Sequence, residues 1–305
     1  MPLVPMKELL VDADKNGYAV GAFNINNLEF FQAVMSAAEE ENAPVIIAVS
    51  EGAMSYAGVD FLEAIVKVGI RKYSIPFALH LDHGKKFERV LEALRSGFSS
   101  IMIDASDKPF QENVAITKKI IEICRPLGIT VEAELGRLLG KEEDVESLEA
   151  IYTDPEDAVR FVQETNCDAL AIACGTSHGA YKFKGEPKLD IERIRKIKQL
   201  TGVPLVLHGA SGVSASMVEE ANSLGFALKG AKGVPDSEIK DAIKAGIRKI
   251  NIDTDLRISF LIGFQRVFLQ NPSEIDPRTH LKEARLRVKE KVREKIRLFG
   301  SSGRY

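Results

Sequence analysis

The 305-residue chain contains no tryptophan, three cysteines and five histidines. Cys124, Cys167 and Cys174 form no CxxC pair, so neither a disulfide framework nor a thiolate zinc site is written here. Such cysteine usage suits a reducing compartment, and the expectation is a cytoplasmic protein. The opening stretch, MPLVPMKELL, lacks the charged-then-apolar layout of a secretory signal. No apolar run approaches the roughly 20 residues of a membrane span. Net charge is only −3 with both signs interspersed, which argues against nucleic-acid binding. An anionic substrate must then be met by local cations, not by a global field. A Gly-rich dinucleotide loop is also missing, since GAFNIN at 21–26 has the wrong glycine spacing.

What is present is a steady alternation. Short apolar runs at 20–25, 45–50, 77–82, 100–104, 130–135, 169–174, 205–208 and 249–253 read as strands buried on both faces. Amphipathic stretches at 29–40, 60–72, 87–96, 112–125, 155–164, 190–199 and 236–245 read as helices between them. Eight such alternations without a composition break predict an α/β fold, a (β/α)8 TIM barrel, as one domain over 1–305. Two additions stand out: an extra helical insertion at 214–231 and a C-terminal helix at 279–299. The apolar stripe of that last helix (Leu281, Ala284, Val288, Val292) packs either on its own barrel or on a partner. The polar connection at 136–157 has the length of an active-site lid.

Polar residues gather where the strands end. PFALHLDHGKK, 76–86, begins as a buried strand and finishes in Asp82 and His83. Adjacent strand residues point to opposite faces, so these two share an orientation only if the strand has broken by Gly84. A packed histidine beside a helix-capping aspartate would explain this stretch alone. The other strand ends add Asn24, Ser50, Asp104, Glu134, His178, His208, Asn251 and Asp253. Three of the five histidines thus stand on one rim, and scattered core imidazoles would not select it. Three imidazoles with an open fourth position suit a catalytic Zn²⁺, and Asp104 with Glu134 offers an oxygen-richer second position. His80 reads as packed inside its strand and His280 as surface. Glycine loops after the sixth, seventh and eighth strands (177–182, 208–212, 251–255) let backbone N–H groups close on a phosphate. A Schiff-base mechanism needs a lysine inside the barrel; Lys249, at the start of the eighth strand, reads as standing at the wrong end.

Taken together, HLDHG (80–84), EAELG (132–136), GTSHGAYK (175–182), LHGASG (207–212) and KINIDTDLR (249–257) resemble the class II fructose-bisphosphate aldolases, in the family's order and across nearly the whole length. The resemblance implies a metal-dependent barrel enzyme that splits fructose 1,6-bisphosphate into dihydroxyacetone phosphate and glyceraldehyde 3-phosphate. It implies His83, His178 and His208 as Zn²⁺ ligands, with Co²⁺ as a substitute, Asp104 and Glu134 at an alternative metal position, and Asp82 as the acid–base group. Gly179, Gly209, Ala210, Ser211, Asn251, Ile252, Asp253 and Thr254 match the binding of dihydroxyacetone phosphate. Asn24, Ser50, Lys182 and Arg257 match further substrate contacts. For the far phosphate Arg257 is one candidate cation and Arg278 the other; in the family the region of Arg278 reaches a neighbouring subunit's site, which implies a homo-oligomer, dimer or tetramer. A monovalent cation is a possible addition. The family's lid carries a Gly-Gly pair before its catalytic glutamate; here the stretch reads LLGKEED, so Glu142 is the match and Glu143 its rival. Tagatose-bisphosphate aldolases share nearly all these motifs. A zinc barrel hydrolase would have little use for three phosphate-type loops.

Overall fold

The computed structural model describes residues 2–137, 139–142, 145–147, 151–178, 188–228 and 230–305, with 139–142, 145–147 and 178 described for the backbone alone. Eight parallel strands close into a barrel: β1 (Val20–Asn24), β2 (Val45–Ser50), β3 (Phe77–Gly84), β4 (Ser100–Ile103), β5 (Thr130–Leu135), β8 (Ala169–Ile172), β10 (Leu205–Leu207) and β11 (Ile247–Ile252). The ring is sealed by β1 against β11, with Val20 opposite Lys249 and Phe23 opposite Ile252. Strand parity sorts the side chains. Phe23, Ile47, Leu79, Ile101, Val131, Leu170, Leu205 and Ile250 pack into the main core. Val20, Ala22, Ile46, Ala48, Ala78, Ala169, Ala171 and Val206 form a second cluster with the N-terminal helix. Its alanines leave room within the barrel for larger polar side chains.

That N-terminal helix, α1 (Met6–Asn16), lies on the stretch read above only for its lack of a signal. Met6, Leu9, Leu10 and Ala13 recur at helical spacing and are all buried in the inner cluster. Burying a leucine this way contributes about 1.5–3 kcal/mol. Lys7 N donates to Thr130 Oγ1 at 2.9 Å, tying the helix to the start of β5. The helices expected between the strands form within a few residues of their expected bounds: α2 (Leu28–Glu40), α4 (Val59–Lys72), α5 (Phe87–Arg95), α6 (Phe110–Cys124), α7 (Pro155–Thr165), α8 (Ile191–Thr201) and α10 (Asp236–Ala245). A short helix, α3 (Glu51–Ala57), follows β2 directly.

Two stretches differ from the sequence reading. Within the 136–157 connection, β6 (Leu139–Glu142) and β7 (Val145–Ser147) pair antiparallel, and β6 also pairs parallel with β9 (Ser177–His178). Ladder hydrogen bonds there satisfy backbone groups within a stretch read as a long, lid-like polar connection. After β11 comes α11 (Thr254–Gln270), a full helix. The insertion forms α9 (Ala215–Ser223), whose Met217 and Ala221 pack on Val213, Ile258 and Ile262. The last helix, α12 (Pro277–Phe299), buries Ala284, Val288, Val292 and Ile296 against its own chain, chiefly α11 and α2. His280 is a correction: it is buried, its ring 4.9 Å from that of Phe264 and its Nε2 3.1 Å from the Glu274 carbonyl.

Candidate active site

Asp82 and His83 end β3 on the barrel rim. His83 lies at φ 50°, in the left-handed region, and the register of β3 against β4 shifts between Leu81 and Gly84. A non-glycine residue there costs about 1–2 kcal/mol. The turn cancels the strand's alternation, so both side chains face the same rim. Glu51, at the start of α3, accepts from Lys85 N at 2.8 Å and Lys86 N at 3.0 Å and fixes the backbone just beyond.

Asp82 is held on both oxygens. Asn24 Nδ2 donates to Oδ2 at 2.8 Å and Asn251 Nδ2 to Oδ1 at 2.9 Å, from strands β1 and β11. His83 Nδ1 donates to Asp104 Oδ2 at 2.9 Å and lies 3.9 Å from Glu134 Oε2. The rings of His83 and His208 meet edge to face at 4.6 Å. Burial works against the His83 cation, but the Asp104 bond and the charges of Asp82, Asp104 and Glu134 outweigh it and push the imidazole up to about 10. Burial likewise works against the Asp104 anion, and His83 with the Ser106 hydroxyl (2.7 Å) holds that carboxyl well below its usual range. Glu134 is pushed up to about 8, by burial first and by Asp104's charge second.

These residues fit a divalent cation. Ligand atoms of Asp82, His83 and His208 lie within 4.8 Å of one another, and those of His83, Asp104 and Glu134 meet the same limit. Glu134 Oε2 is buried without a hydrogen-bond partner among the described residues, as suits an oxygen placed for a metal. Imidazole with carboxylate is a zinc-type donor set. The backbone of His178 pairs with the hairpin, Gly140 opposite it; its side chain, those of Glu142, and the whole of Glu143, Gly179 and Lys182 lie outside the described residues.

Sequence reasoning missed the layer beneath. Glu132 Oε1 takes His208 Nε2 at 2.8 Å, and Lys249 Nζ reaches Glu132 Oε2 at 2.8 Å and His80 Nε2 at 3.2 Å. Lys249 is not at the wrong end: β11 starts at Ile247, and the side chain is fully buried inside the barrel. Burial first, then the Lys249 charge, holds His80 well below its ordinary value. Its Nδ1 therefore donates to Ser100 Oγ at 2.8 Å while Nε2 accepts from Lys249. One signal for Glu132 was available, since in a strand it shares the face of Glu134 two residues on.

Of the other expected contacts, Ser50 caps α3, its Oγ accepting from Ala53 N at 3.1 Å. Gly209, at φ 60°, leaves no space for a Cβ, which would sit 2.6 Å from the Ser177 carbonyl. Ala210 and Ser211 are buried beside it, and Ser211 Oγ accepts from Asp253 N at 3.4 Å. Ile252 is buried at the end of β11, and Asp253 and Thr254 open α11. Arg257 pairs with Asp253 through Nε at 2.8 Å and Nη2 at 2.7 Å. Arg278 stands at the start of α12, paired with Asp276 at 2.6 Å and with its side chain 89% exposed.

Known proteins give this geometry a family. A profile described as "Fructose-bisphosphate aldolase class-II" matches residues 4–227 and 221–304. A Thermus caldophilus protein named fructose-bisphosphate aldolase is 49% identical over 304 residues, covering 99% of each chain. A Helicobacter pylori (strain J99) protein of the same name is 46% identical over 305 residues, also 99% of each. Among solved structures, the YdjI aldolase from Escherichia coli K12 superposes with a TM-score of 0.82 at 35% identity, over 99% of both chains. The chain belongs to the class II fructose-bisphosphate aldolase family, lyases that work with a divalent metal.

Proposed function

We propose that the rim site carries out reversible aldol cleavage of fructose 1,6-bisphosphate to dihydroxyacetone phosphate and glyceraldehyde 3-phosphate, with Zn²⁺ as the metal and Co²⁺ able to replace it. The observation that carries this reading is Asp82, a carboxylate fixed by two asparagines beside the His83–His208 pair. His83 and His208, with His178 as third ligand, would hold the ion, and Asp104 with Glu134 would form the alternative position. When bound, the ion supplies a Lewis acid for the C2 carbonyl. Asp82 takes the C4 hydroxyl proton, and the hydrogen bonds from Asn24 and Asn251 keep its oxygens aimed at that atom. The C3–C4 bond then breaks, its electron pair passing toward C2 while C4 becomes the aldehyde carbonyl. Glu142 on the hairpin returns a proton to C3; Glu143 is the alternative.

Gly179, Gly209–Ser211 and Asn251–Thr254 surround the C1 phosphate, with the N-terminus of α11 adding its dipole. Asn24, Ser50, Lys182 and Arg257 complete the substrate contacts. The C6 phosphate needs a separate cation, and Arg278 of a neighbouring subunit supplies its fork. Support for a homo-oligomer, dimer or tetramer, comes from α11: Leu261, Phe264, Phe268 and Leu269 recur at helical spacing and are all exposed, close in sequence to the fully open Ile275. We read the protein as cytoplasmic, a reading that its three free, buried cysteines support. Among the described residues no helix is long and apolar enough to cross a membrane.

An assay with fructose and tagatose bisphosphates, with and without a chelator, tests the reading. Chelator-sensitive cleavage of the fructose ester is the expected result. Preference for tagatose bisphosphate would keep the chemistry and change the sugar. Turnover that survives thorough metal removal, or trapping of substrate on a lysine by borohydride, would refute it.

A further inference from the structure

The loop after β10 is clamped from behind by a buried ion pair that the chemistry above does not use. Asp255, second residue of α11, accepts from Gly212 N at 2.8 Å and from Val213 N at 2.7 Å. Its Oδ2 also lies 3.1 Å from Lys295 Nζ, and both side chains are at least 96% buried. Lys295 comes from α12, far along the chain, and arrives close enough that a Cβ on Gly212 would stand 2.7 Å from its Nζ. Val213 is held at φ 33°, a left-handed conformation that a β-branched residue adopts only under constraint. Gly233 closes the other side, with no room for a Cβ against the Ser211 carbonyl, 2.1 Å away, and Val234 N donates to that carbonyl at 3.2 Å.

The clamp presents an electrostatic difficulty. A carboxylate is the right acceptor for two successive N–H groups, yet a bare buried anion directly behind a phosphate loop would repel the ligand. Lys295 removes that conflict. We propose that Lys295 is a positioning residue for the phosphate loop: it neutralises Asp255, so that Asp255 holds Gly212 and Val213 in place and turns Gly209–Ser211 toward the C1 phosphate without opposing its charge. The C-terminal helix thereby sets affinity for the phosphate end of the substrate. This rests on reading Gly209–Ser211 as the phosphate loop.

Titration calorimetry of the metal-loaded, full-length protein with dihydroxyacetone phosphate tests it, with metal content measured in parallel. Lys295→Met should raise Kd by roughly threefold to thirtyfold with metal content unchanged. Adding Asp255→Asn, which removes the uncompensated charge at the cost of one of the two N–H bonds, should recover part of that loss. If Lys295→Met binds as tightly as the parent, or if the double variant is as weak as the single one, the charge-balancing role is wrong. Should Lys295→Met not fold, as judged by near-UV circular dichroism, Lys295→Gln carries the same comparison. Ser211→Asp provides the separate check: unchanged binding in that variant would overturn the phosphate-loop reading itself, whereas lost binding there with normal binding in Lys295→Met overturns only the role of Lys295.

Discussion

Glu132 Oε1 lies 2.8 Å from His208 Nε2, in the interior of the barrel and fully buried. The carboxylate can only accept, so Nε2 carries the proton and Nδ1 is the nitrogen whose lone pair can be offered to a metal. Glu132 is itself anchored by Lys249 at 2.8 Å. Glu132→Gln should therefore weaken metal affinity by about 10–100-fold. Titrating the metal-free variant with Zn²⁺ against a competing chelator measures this, and an affinity equal to the parent's would show that another group orients His208.

Arg278 spends its fork on Asp276 within its own chain, three hydrogen bonds at 2.6–3.0 Å, on an exposed turn. If it completes a neighbour's site, Arg278→Ala should raise KM for fructose 1,6-bisphosphate and leave the Kd of dihydroxyacetone phosphate nearly unchanged. Mixing that variant with Asp82→Asn subunits should give more activity than the two parents together, because some mixed sites retain both groups. Heteromers that recover nothing would mean that Arg278 does not act across an interface.

Glu41 fastens the C-terminal end of the chain to α2. It accepts from Arg293 Nε at 2.9 Å, Arg297 Nη2 at 2.6 Å and Ser302 Oγ at 2.8 Å. The Arg297 bond first, and the Arg293 and Ser302 bonds with it, outweigh burial and lower its carboxyl from 4.5 to about 2. A depressed folded-state value means a contribution complete above about 4.5 and lost as the pH falls toward 2. Glu41→Gln should thus lower Tm at pH 7, with the difference from the parent shrinking steadily between pH 4.5 and 2. A difference independent of pH would mean that the side chain acts through shape and not charge.

The barrel was legible because its strands are buried on both faces and so appear as continuous apolar runs, each ending in a polar residue. Asp82, His83, Asp104 and His208 could be placed by that rule alone. Whether Asp82 and His83 shared a rim could not, since it depends on the left-handed turn at His83. Lys249 was misjudged because its partner Glu132 is 117 residues away, and nothing local signals that pairing. His280 has the same cause: its cover comes from Phe264 on a helix that the sequence reading had not placed. The N-terminal plug is a different kind of miss. Met6, Leu9, Leu10 and Ala13 carry a plain helical period, which the lack of a targeting signal does not bear on. The Lys295–Asp255 pair spans two elements whose contact no periodicity reveals.

In the proposed mechanism Asp82 moves the C4 proton while the imidazoles beside it hold the metal. Asp82→Asn keeps the size of the side chain and a hydrogen-bonding group next to Asn24 and Asn251 while removing the base. The decisive measurement is its turnover with fructose 1,6-bisphosphate at a metal content determined on the same sample. The expected result is metal near that of the parent and kcat lowered on the order of 10²–10⁴-fold, the range of a positioned acid–base group. Turnover within a few fold of the parent at full metal occupancy would contradict it, as would a loss of activity that simply follows a loss of metal.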